Sequence, residues 1–424
     1  MEYINALYDW FVTVLWPWMT TNVWPLIVLI PIGVLGIVRW IMWLVRAFIA
    51  LFYSPYNTNK AENLTATIVT PVYEEDPVMF RRALESWIAN KPERIIAVID
   101  ITDQTSMQIA REYTAVEVME ISEPGKRPAL ALGVDATTTT DIAVLVDSDV
   151  IWDRDVLKKL KMPFSNKKIG GVGTRQHMYP TNGQSPTMWE RIADIFLDIR
   201  YSLEVPSTVV LGNAVSCLSG RTAAYRTQIL KDMREPFLNE TFNGRQMMSG
   251  DDKCYTNLLL QSGYRTYNQL NAHVYSTFKP TFNGFMRQRV RWARNSLRSD
   301  FKALWQGWVW KYPFLAITLI ERFVSSYTLL VGPLILAVIL ALGYWQVALS
   351  LVIWWLISRF IKLLPHFWRR PGDILLLPIY IPLSWLMSLV KTYSLFTINR
   401  HEWLTRSVSM VNNRAVRVAR ATQS

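Results

Sequence analysis

The run Ile142-Ala-Val-Leu-Val-Asp-Ser-Asp149 decides the fold class, because a short apolar stretch leads directly into two carboxylates. An apolar run of this length between polar residues is typical of a strand buried on both faces of a parallel sheet. Three similar runs precede it, at residues 66–70, 95–99 and 116–121, and helices are expected at residues 78–90 and 126–135. This βαβα order predicts an α/β domain with a parallel sheet and helices on its faces.

Polar residues follow each of the four predicted strands. Ligands of such sheets bind beyond the carboxyl ends of the strands, so we expect a nucleotide site at this edge. No G-x-G-x-x-G follows the first strand and no G-x-x-x-x-G-K-[ST] occurs in the chain. This argues against a dinucleotide-dependent enzyme and against a P-loop NTPase.

Apolar segments flank the α/β domain on both sides. Residues 24–53 exceed the roughly 20 residues that span a bilayer and predict a transmembrane helix, with the aromatic stretch 8–19 at the interface or in a hairpin. Further apolar runs occupy residues 325–342, 345–364 and 374–398. Pro378 and Pro382 interrupt the last run, which favours a re-entrant or interfacial segment.

The chain therefore divides into four predicted regions. They are an N-terminal membrane anchor at residues 1–56, a cytoplasmic α/β domain at 57–300, interfacial and transmembrane helices at 301–398, and a basic cytoplasmic tail at 399–424.

The net charge of +12 fits the cytoplasmic loops and tail of a membrane protein better than a nucleic-acid-binding surface. Cys217 and Cys254 provide neither a disulfide framework nor a zinc-ligand pattern, which suits a reducing cytosolic domain. We expect a multi-pass protein of the cell (inner or plasma) membrane whose partners include the lipid bilayer but no nucleic acid.

Asp147 and Asp149 emerge together at the end of the fourth predicted strand. Paired carboxylates suit Mg²⁺ or Mn²⁺, which prefer oxygen ligands and share their remaining positions with a diphosphate. A lone D-x-D is weak evidence, because Asp also clusters in solvated turns.

The segment Gln288-Arg-Val-Arg-Trp292 combines an amide, two guanidiniums and an indole. Gln288 and Arg291 share one helix face, where Arg291 can bind diphosphate oxygens and Trp292 offers a platform for a sugar ring. An amphipathic helix at the membrane interface explains the same residue types equally well.

Asp251 and Asp252 precede a predicted helical segment at residues 254–261. A carboxylate at this place can take the proton of an acceptor hydroxyl. The alternative is an N-terminal helix cap, for which Asp is also well suited.

In combination and in this order, Asp100, Asp147-Ser-Asp149, Asp252 and the segment Gln288 to Trp292 resemble the processive family-2 glycosyltransferases, which include cellulose, chitin and hyaluronan synthases. The resemblance covers nearly the whole chain and is strongest to hyaluronan synthases and the streptococcal type 3 capsular polysaccharide synthase. It is carried by residues 124–127, 146–149, 168–176, 217–221, 250–253 and 403–406.

The resemblance implies a GT-A fold, a Rossmann-like nucleotide-binding α/β domain, with a site divided by role. Asp252 is implied as the base with Asp251 beside it, Trp292 as the residue that stacks on the acceptor sugar, and Asp149 with Asp147 as the metal ligands. The implied UDP-sugar ligands are Tyr73, Glu75, Asp100, Lys126, Asp147, Arg175, Gln288, Arg291, Trp292, Trp403, Thr405 and Arg406, the last three in a gating loop. The implied acceptor pocket contains Cys217, Ser219, Gly220 and Trp292.

Two departures from the hyaluronan synthase pattern, and one likeness to the capsule synthase, bear on the identity of the product. Lys253 stands where those enzymes usually have Arg, and Leu404 replaces the usual Gly of the gating motif. The stretch Cys217-Leu-Ser-Gly-Arg221 is closer to the capsule synthase.

The function implied is a processive, inverting β-glycosyltransferase that polymerises UDP-activated sugars and passes the growing polysaccharide across the membrane. The resemblance implies that residues 57–300 form the catalytic domain, that the helices in 301–398 form a polymer channel, and that residues 399–424 contain the gating motif. Two alternatives remain open. One is a non-processive transferase that adds a single sugar to a lipid carrier, and the other is a membrane transporter regulated by a nucleotide.

Overall fold

The computed structural model describes residues 2–18, 24–181, 183–400, 408–411 and 414–417. The chain forms two compact units. The first comprises Met1–Phe48 with Arg322–Leu389, and the second comprises Ile49–Glu321 with Val390–Ser424.

The second unit is built on a mixed sheet of eight strands in the order β3-β2-β1-β4-β7-β6-β10-β5, with two separate hairpins, β8–β9 and β11–β12. The strands are β1 Ala66–Val72, β2 Arg94–Asp100, β3 Val116–Ile121, β4 Ile142–Val146, β5 Val150–Trp152, β6 Ile169–Tyr179, β7 Thr222–Arg226, β8 Thr241–Phe242, β9 Arg245–Gln246, β10 Arg265–Thr277, β11 Val408–Val411 and β12 Arg414–Arg417.

Helices account for most of the remaining described chain. They are α1 Glu2–Trp10, α2 Trp16–Trp18, α3 Trp24–Ala50, α4 Pro77–Ala89, α5 Gln104–Arg111, α6 Lys126–Asp135, α7 Val156–Lys161, α8 Met188–Ile199, α9 Val205–Val210, α10 Thr227–Asp232, α11 Arg234–Leu238, α12 Asp251–Gln261, α13 Phe282–Trp305, α14 Pro313–Thr328, α15 Val331–Ala341, α16 Trp345–Arg369 and α17 Leu377–Phe396. Shorter π or 3-10 turns lie at Phe11–Leu15, Met162–Ser165, Arg200–Glu204, Trp308–Lys311 and Pro371–Leu376.

The first half of the sheet confirms the βαβα prediction. Strands β1, β2, β3 and β4 are parallel, and their bounds agree with the predicted runs to within two residues. Helix α4 begins where Pro77 follows Asp76, whose carboxylate accepts hydrogen bonds from the backbone N of Val78 (3.1 Å) and Met79 (2.9 Å).

The second half of the sheet is not parallel throughout. Strand β7 lies between β4 and β6 and is antiparallel to both, and β5 is antiparallel to β10. A short run such as Thr222-Ala-Ala-Tyr-Arg226 carries no information about strand direction, which depends on pairing with distant strands.

Pro378 and Pro382 do not interrupt the last apolar segment, contrary to the expectation from sequence. Pro378 is the second residue of α17. The first N–H groups of a helix have no intrahelical acceptor, so the N–H that proline lacks is not needed there. Pro382 lies inside the helix, which continues through it. Within the described part of the chain, four helical segments are long and apolar enough to cross a membrane: Gly33–Ala50, Pro313–Ala341, Trp345–Arg369 and Pro371–Phe396.

Helix α6 lies directly against the sheet because Gly133 has no side chain. A Cβ added there would lie 2.3 Å from Cγ1 of Val69 and 3.1 Å from Cγ2 of Val98. The same helix begins with Lys126, so this close contact also fixes the position of that lysine.

We expect Gly133→Ala to lower the free energy of unfolding by about 1–3 kcal/mol, since the added methyl group overpacks a buried contact. The melting temperature of the full chain in detergent measures the effect. Adding Val69→Ala should recover part of the loss, because it removes a methyl group that stands in the way. The matched control is Gly36→Ala, where a Cβ meets nothing within 4 Å. Equal melting temperatures for Gly133→Ala and Gly36→Ala would contradict the close contact between α6 and the sheet at Gly133.

Candidate active site

Lys126 joins two acidic residues that are distant in sequence. Its Nζ lies 2.6 Å from Oδ1 of Asp147, at the end of β4, and 2.8 Å from Oδ2 of Asp251, at the start of α12. Burial opposes the charge of Lys126, but the two carboxylates outweigh it and raise the pKa of the lysine above its usual value. The pKa of Asp251 is lowered, since Lys126 outweighs the effect of burial.

Arg127, the next residue, holds the segment that leads into α12. Its guanidinium donates to the backbone oxygens of Phe237 (2.7 Å) and Ser249 (3.3 Å) and to Oε2 of Glu240 (2.6 Å). Burial disfavours the charge of Glu240, but Arg127 and Lys302 hold the pKa of this carboxyl below its usual value. Two consecutive residues of α6 therefore fix both Asp251 and the loop before it.

The two acidic residues of α12 lie in its first turn, not at its cap. The cap position is Gly250, whose φ of 83° is left-handed and favours glycine. Oδ2 of Asp252 accepts a hydrogen bond from the backbone N of Gly220 (3.3 Å), and Oδ1 accepts one from the backbone N of Lys253 (2.8 Å). The positive end of the helix dipole favours carboxylates at this place.

Residues 217–221 pass closely beneath the acidic cluster. A Cβ on Gly220 would lie 3.2 Å from Nζ of Lys126 and 3.4 Å from Oδ2 of Asp251, so the backbone passes close to both charged groups. The backbone oxygen of Ser219 accepts a hydrogen bond from Thr222. Burial and the negative charge of Asp252 raise the pKa of the Cys217 thiol to about 12. Cys217 and Gly220 therefore lie beside Asp252.

The residues predicted around a nucleotide lie at the carboxyl ends of neighbouring parallel strands. Tyr73 and Glu75 follow β1 and are half-buried, and Asp100 ends β2 and is buried. Oδ1 of Asp100 accepts hydrogen bonds from the backbone N (3.0 Å) and Oγ1 (2.6 Å) of Thr102, which fix the carboxylate in a turn.

Asp147 and Asp149 offer the chemistry that a divalent cation requires. Both are half-buried, and Oδ2 of Asp149 accepts a hydrogen bond from Oγ1 of Thr277 (2.9 Å), which orients this carboxylate. Carboxylate oxygens at one strand end match the preference of Mg²⁺ and Mn²⁺ for hard ligands. The residues present therefore fit such an ion.

Helix α13 carries the predicted amide, guanidinium and indole. The Trp292 ring lies beside Arg289, at 5.1 Å from guanidinium carbon to ring centroid, and beside Arg221, at 5.4 Å, with Phe278 edge-on at 6.4 Å. Gln288 is buried, and its Oε1 has no partner among the described residues. Arg291 is half-buried on the same turn.

An ion pair that the sequence did not reveal joins α12 to α13. Nζ of Lys253 contacts Oδ1 of Asp300 and lies 3.2 Å from Oγ of Ser296, and both Lys253 and Asp300 are buried. Lys253 is the residue that departs from the hyaluronan synthase pattern. In this chain it connects the helix of Asp252 to the helix of Trp292.

The C-terminal half of α13 also holds the chain that follows α17. Nε of Arg294 donates to Oγ1 of Thr397 (3.1 Å), and Arg298 donates to the backbone oxygens of Ile398 (2.7 Å) and Arg400. Burial and the neighbouring Arg294 lower the pKa of Arg298 to about 10.

Not every predicted residue joins the acidic cluster. Arg175 lies on β6, where its guanidinium pairs with Asp198 of α8 at 3.4 Å. Trp403, Thr405 and Arg406 lie outside the described residues. Arg221, which sequence reasoning did not place in the site, is near both Trp292 and the aspartates that follow β4. Its position at the end of the motif Cys217–Arg221 was the only available signal.

Comparison with known proteins gives consistent matches. A family model described as Glycosyltransferase like family 2 matches residues 64–295. A Type 2 glycosyltransferase of Pyricularia oryzae is 26% identical over 361 residues, which cover 80% of this chain and 74% of that protein. A hyaluronan synthase of Streptococcus pyogenes is 25% identical over 390 residues, which cover 88% and 91%.

A solved structure supports the fold. The mannosyltransferase PcManGT from Pyrobaculum calidifontis, in complex with GDP-Man and Mn²⁺, has a TM-score of 0.57 and 16% identity, covering 86% of this chain and 95% of that one. With the family match, this confirms the expected GT-A fold.

The Lys126 bridge predicts a pH-dependent contribution to stability. We expect Lys126→Met to lower the free energy of unfolding by about 2 kcal/mol near neutral pH, less than the roughly 3–5 kcal/mol of a fully buried pair, because Asp147 keeps 34% of its side chain exposed. The pKa of Asp251 lies below its ordinary value of 3.8, so its contribution is complete above that pH and disappears as the pH falls through the folded-state pKa. The raised pKa of Lys126 keeps its own contribution intact up to its ordinary value of 10.5.

Melting temperatures of the full chain in detergent, measured from pH 3 to pH 9, test this effect. The control is Lys158→Met, which removes an exposed lysine 3.9 Å from Glu62 and should change stability by less than about 0.5 kcal/mol. A loss for Lys126→Met that stays constant down to the lowest pH would argue against the bridge.

Proposed function

Since the chain belongs to the family described as glycosyltransferase like family 2, we propose that it is a processive inverting β-glycosyltransferase. It takes UDP-activated sugars on the cytoplasmic side of the membrane and polymerises them into an extracellular or capsular polysaccharide. The similarity to a hyaluronan synthase over 88% of the chain supports a polymer product. Four helical segments of membrane-spanning length in the described chain support translocation by the same protein.

One observation carries the assignment. Asp252 is held beside the Asp147–Lys126–Asp251 bridge by the backbone N of Gly220 and of Lys253, so a carboxylate bonded to backbone N–H groups lies next to groups suited to a diphosphate. A transporter regulated by a nucleotide has no use for a proton acceptor at this place.

Transfer is a single displacement. The acceptor hydroxyl gives its proton to Asp252 and its oxygen bonds to C1 of the donor sugar. This attack comes from the face of C1 opposite the diphosphate, so the configuration at C1 is inverted. The bond between C1 and the diphosphate oxygen breaks, and UDP leaves with the electron pair. Lys126 and Arg291 stabilise the negative charge on the departing diphosphate.

Asp147 and Asp149 would hold Mg²⁺ or Mn²⁺. The bound ion would offset charge on the diphosphate as the leaving group departs. Tyr73, Glu75 and Asp100 would contact the uridine, since they follow the neighbouring strands β1 and β2.

The remaining assignments follow the resemblance. Gln288 would bind the diphosphate, Trp292 would stack on the acceptor sugar, and Cys217, Ser219 and Gly220 would shape the acceptor pocket. Trp403, Thr405 and Arg406 would close over the nucleotide. Arg175 would act from a greater distance, through its pair with Asp198.

A screen of the purified chain against single and paired UDP-sugars, with Mg²⁺ or Mn²⁺, tests the function. UDP-glucuronate paired with UDP-glucose or with UDP-N-acetylglucosamine is the first choice. We expect sugar-dependent UDP release and long polymers without any added lipid acceptor. Release with only single-sugar products on a lipid would favour the non-processive alternative, and UDP binding without release would favour a transporter.

Asp252→Asn should lower the rate of transfer by about 10²–10⁴-fold, because the amide still accepts the Gly220 hydrogen bond but cannot take a proton. UDP affinity, measured by calorimetry, should change little. The paired variant Asp251→Asn should instead change UDP affinity, since it removes the charge of a partner that positions Lys126. Polymer synthesis by Asp252→Asn at the wild-type rate would rule out its role as the base.

A further inference from the structure

Arg221 lies where the acidic cluster meets the aromatic helix. It immediately precedes β7 and follows Gly220, whose backbone N binds Asp252. Its guanidinium carbon lies 4.3 Å from the centroid of the Phe278 ring and 5.4 Å from that of Trp292. The cation is therefore packed against two aromatic rings, one of them the proposed acceptor platform.

This arginine has an incomplete set of partners. Nη1 donates to Oε1 of Gln176 (3.0 Å), and within the described chain neither Nε nor Nη2 makes a hydrogen bond and no carboxylate is within ion-pair distance. Burial lowers the pKa of Arg221, although Asp149 and Asp147 support its charge from farther away. Arg221 is half-buried, and a cation that has lost part of its hydration without gaining an anionic partner is suited to bind an anion.

A second observation points to the same place. Gln176 is 2% exposed, and its Nε2 is a buried donor with no partner among the described residues. The same side chain accepts the hydrogen bond from Arg221. Unsatisfied N–H donors on two adjacent side chains match a ligand with several acceptor oxygens, such as a carboxylate.

Comparison with Arg127 shows what a purely structural arginine looks like in this chain. Arg127 is buried and, like Arg221, packs on a ring, at 5.1 Å from the Phe237 centroid, but it bonds Glu240 and two backbone oxygens. Arg221 has the aromatic packing without the anionic partner.

Resting on the proposed transferase function, we propose that Arg221 is a specificity-determining residue that binds the carboxylate of an acidic sugar at the acceptor end of the site. The diphosphate would already have Lys126 and a divalent cation, which Asp147 and Asp149 would hold. Arg221 instead lies against Trp292, where an acceptor sugar stacks.

The experiment compares p-nitrophenyl β-glucuronide, its methyl ester and p-nitrophenyl β-glucoside as acceptors. The three share a ring and differ in charge. For each, KM and kcat are measured from UDP release, and affinity is measured by calorimetry in the presence of UDP. The wild type should bind the glucuronide more tightly than its ester. Arg221→Met should raise the KM for the glucuronide by roughly 10- to 100-fold and should change the KM for the glucoside by less than about 3-fold. Arg221→Lys should retain part of the preference.

The matched control is Arg226→Met, five residues farther along the chain. Arg226 also packs on a ring, at 5.3 Å from the Phe164 centroid, and donates to backbone oxygens outside the site. The Arg226→Met variant should be less stable than the wild type but should keep the wild-type acceptor preference. Melting temperatures of all variants show whether each one folds.

Two results would overturn the inference. One is an equal rise in KM for all three acceptors in Arg221→Met, which would indicate a structural or diphosphate-binding role. The other is a wild type that binds the glucuronide no more tightly than its ester. Failure of the proposed function itself looks different. Then no UDP-sugar gives UDP release, while the calorimetric preference for the charged acceptor is still measurable and still depends on Arg221.

Discussion

Lys126 lies between Asp147, which follows β4, and Asp251, which begins α12. Because the lysine contacts both carboxylates, these two acidic residues can lie close together. Two carboxylates that contact the same ammonium group lie close together, and their negative charges repel strongly when both are half-buried. The lysine removes that conflict and at the same time links β4, α6 and α12. Asp252 is positioned through the same helix, so the geometry of the proposed base depends on a cation that does not touch it.

A second set of contacts extends this arrangement to α13. Lys253 pairs with Asp300, and Arg221 packs on Trp292, so each of the two motifs adjoining Asp252 reaches the helix with the indole. Buried ion pairs contribute little net stability when compared with apolar packing, but they fix geometry because their misplacement is costly. The site thus uses charge mainly to set relative positions.

The sequence was most informative where structure is local. Strands β3 and β4 and helix α6 have the predicted bounds, because apolar runs and helix-forming stretches depend on near neighbours. The direction of β7 was not predictable, since it depends on pairing with β4 and β6. Arg221 was missed for the same reason: its partners are Gln176, Phe278 and Trp292, which no local pattern connects to it. Pro378 misled because its position within the helix, and not its presence, decides whether it breaks one.

Arg294 and Arg298 bond to the chain at residues 397–400, including backbone oxygens that lie beyond the last turn of α17. A helix end leaves such carbonyls without donors, and the two guanidiniums supply them. The dependence is mutual, because both arginines are buried. Truncation at residue 396 would therefore remove more than a tail: it would take acceptors away from two buried guanidiniums of α13, the helix that also carries Trp292.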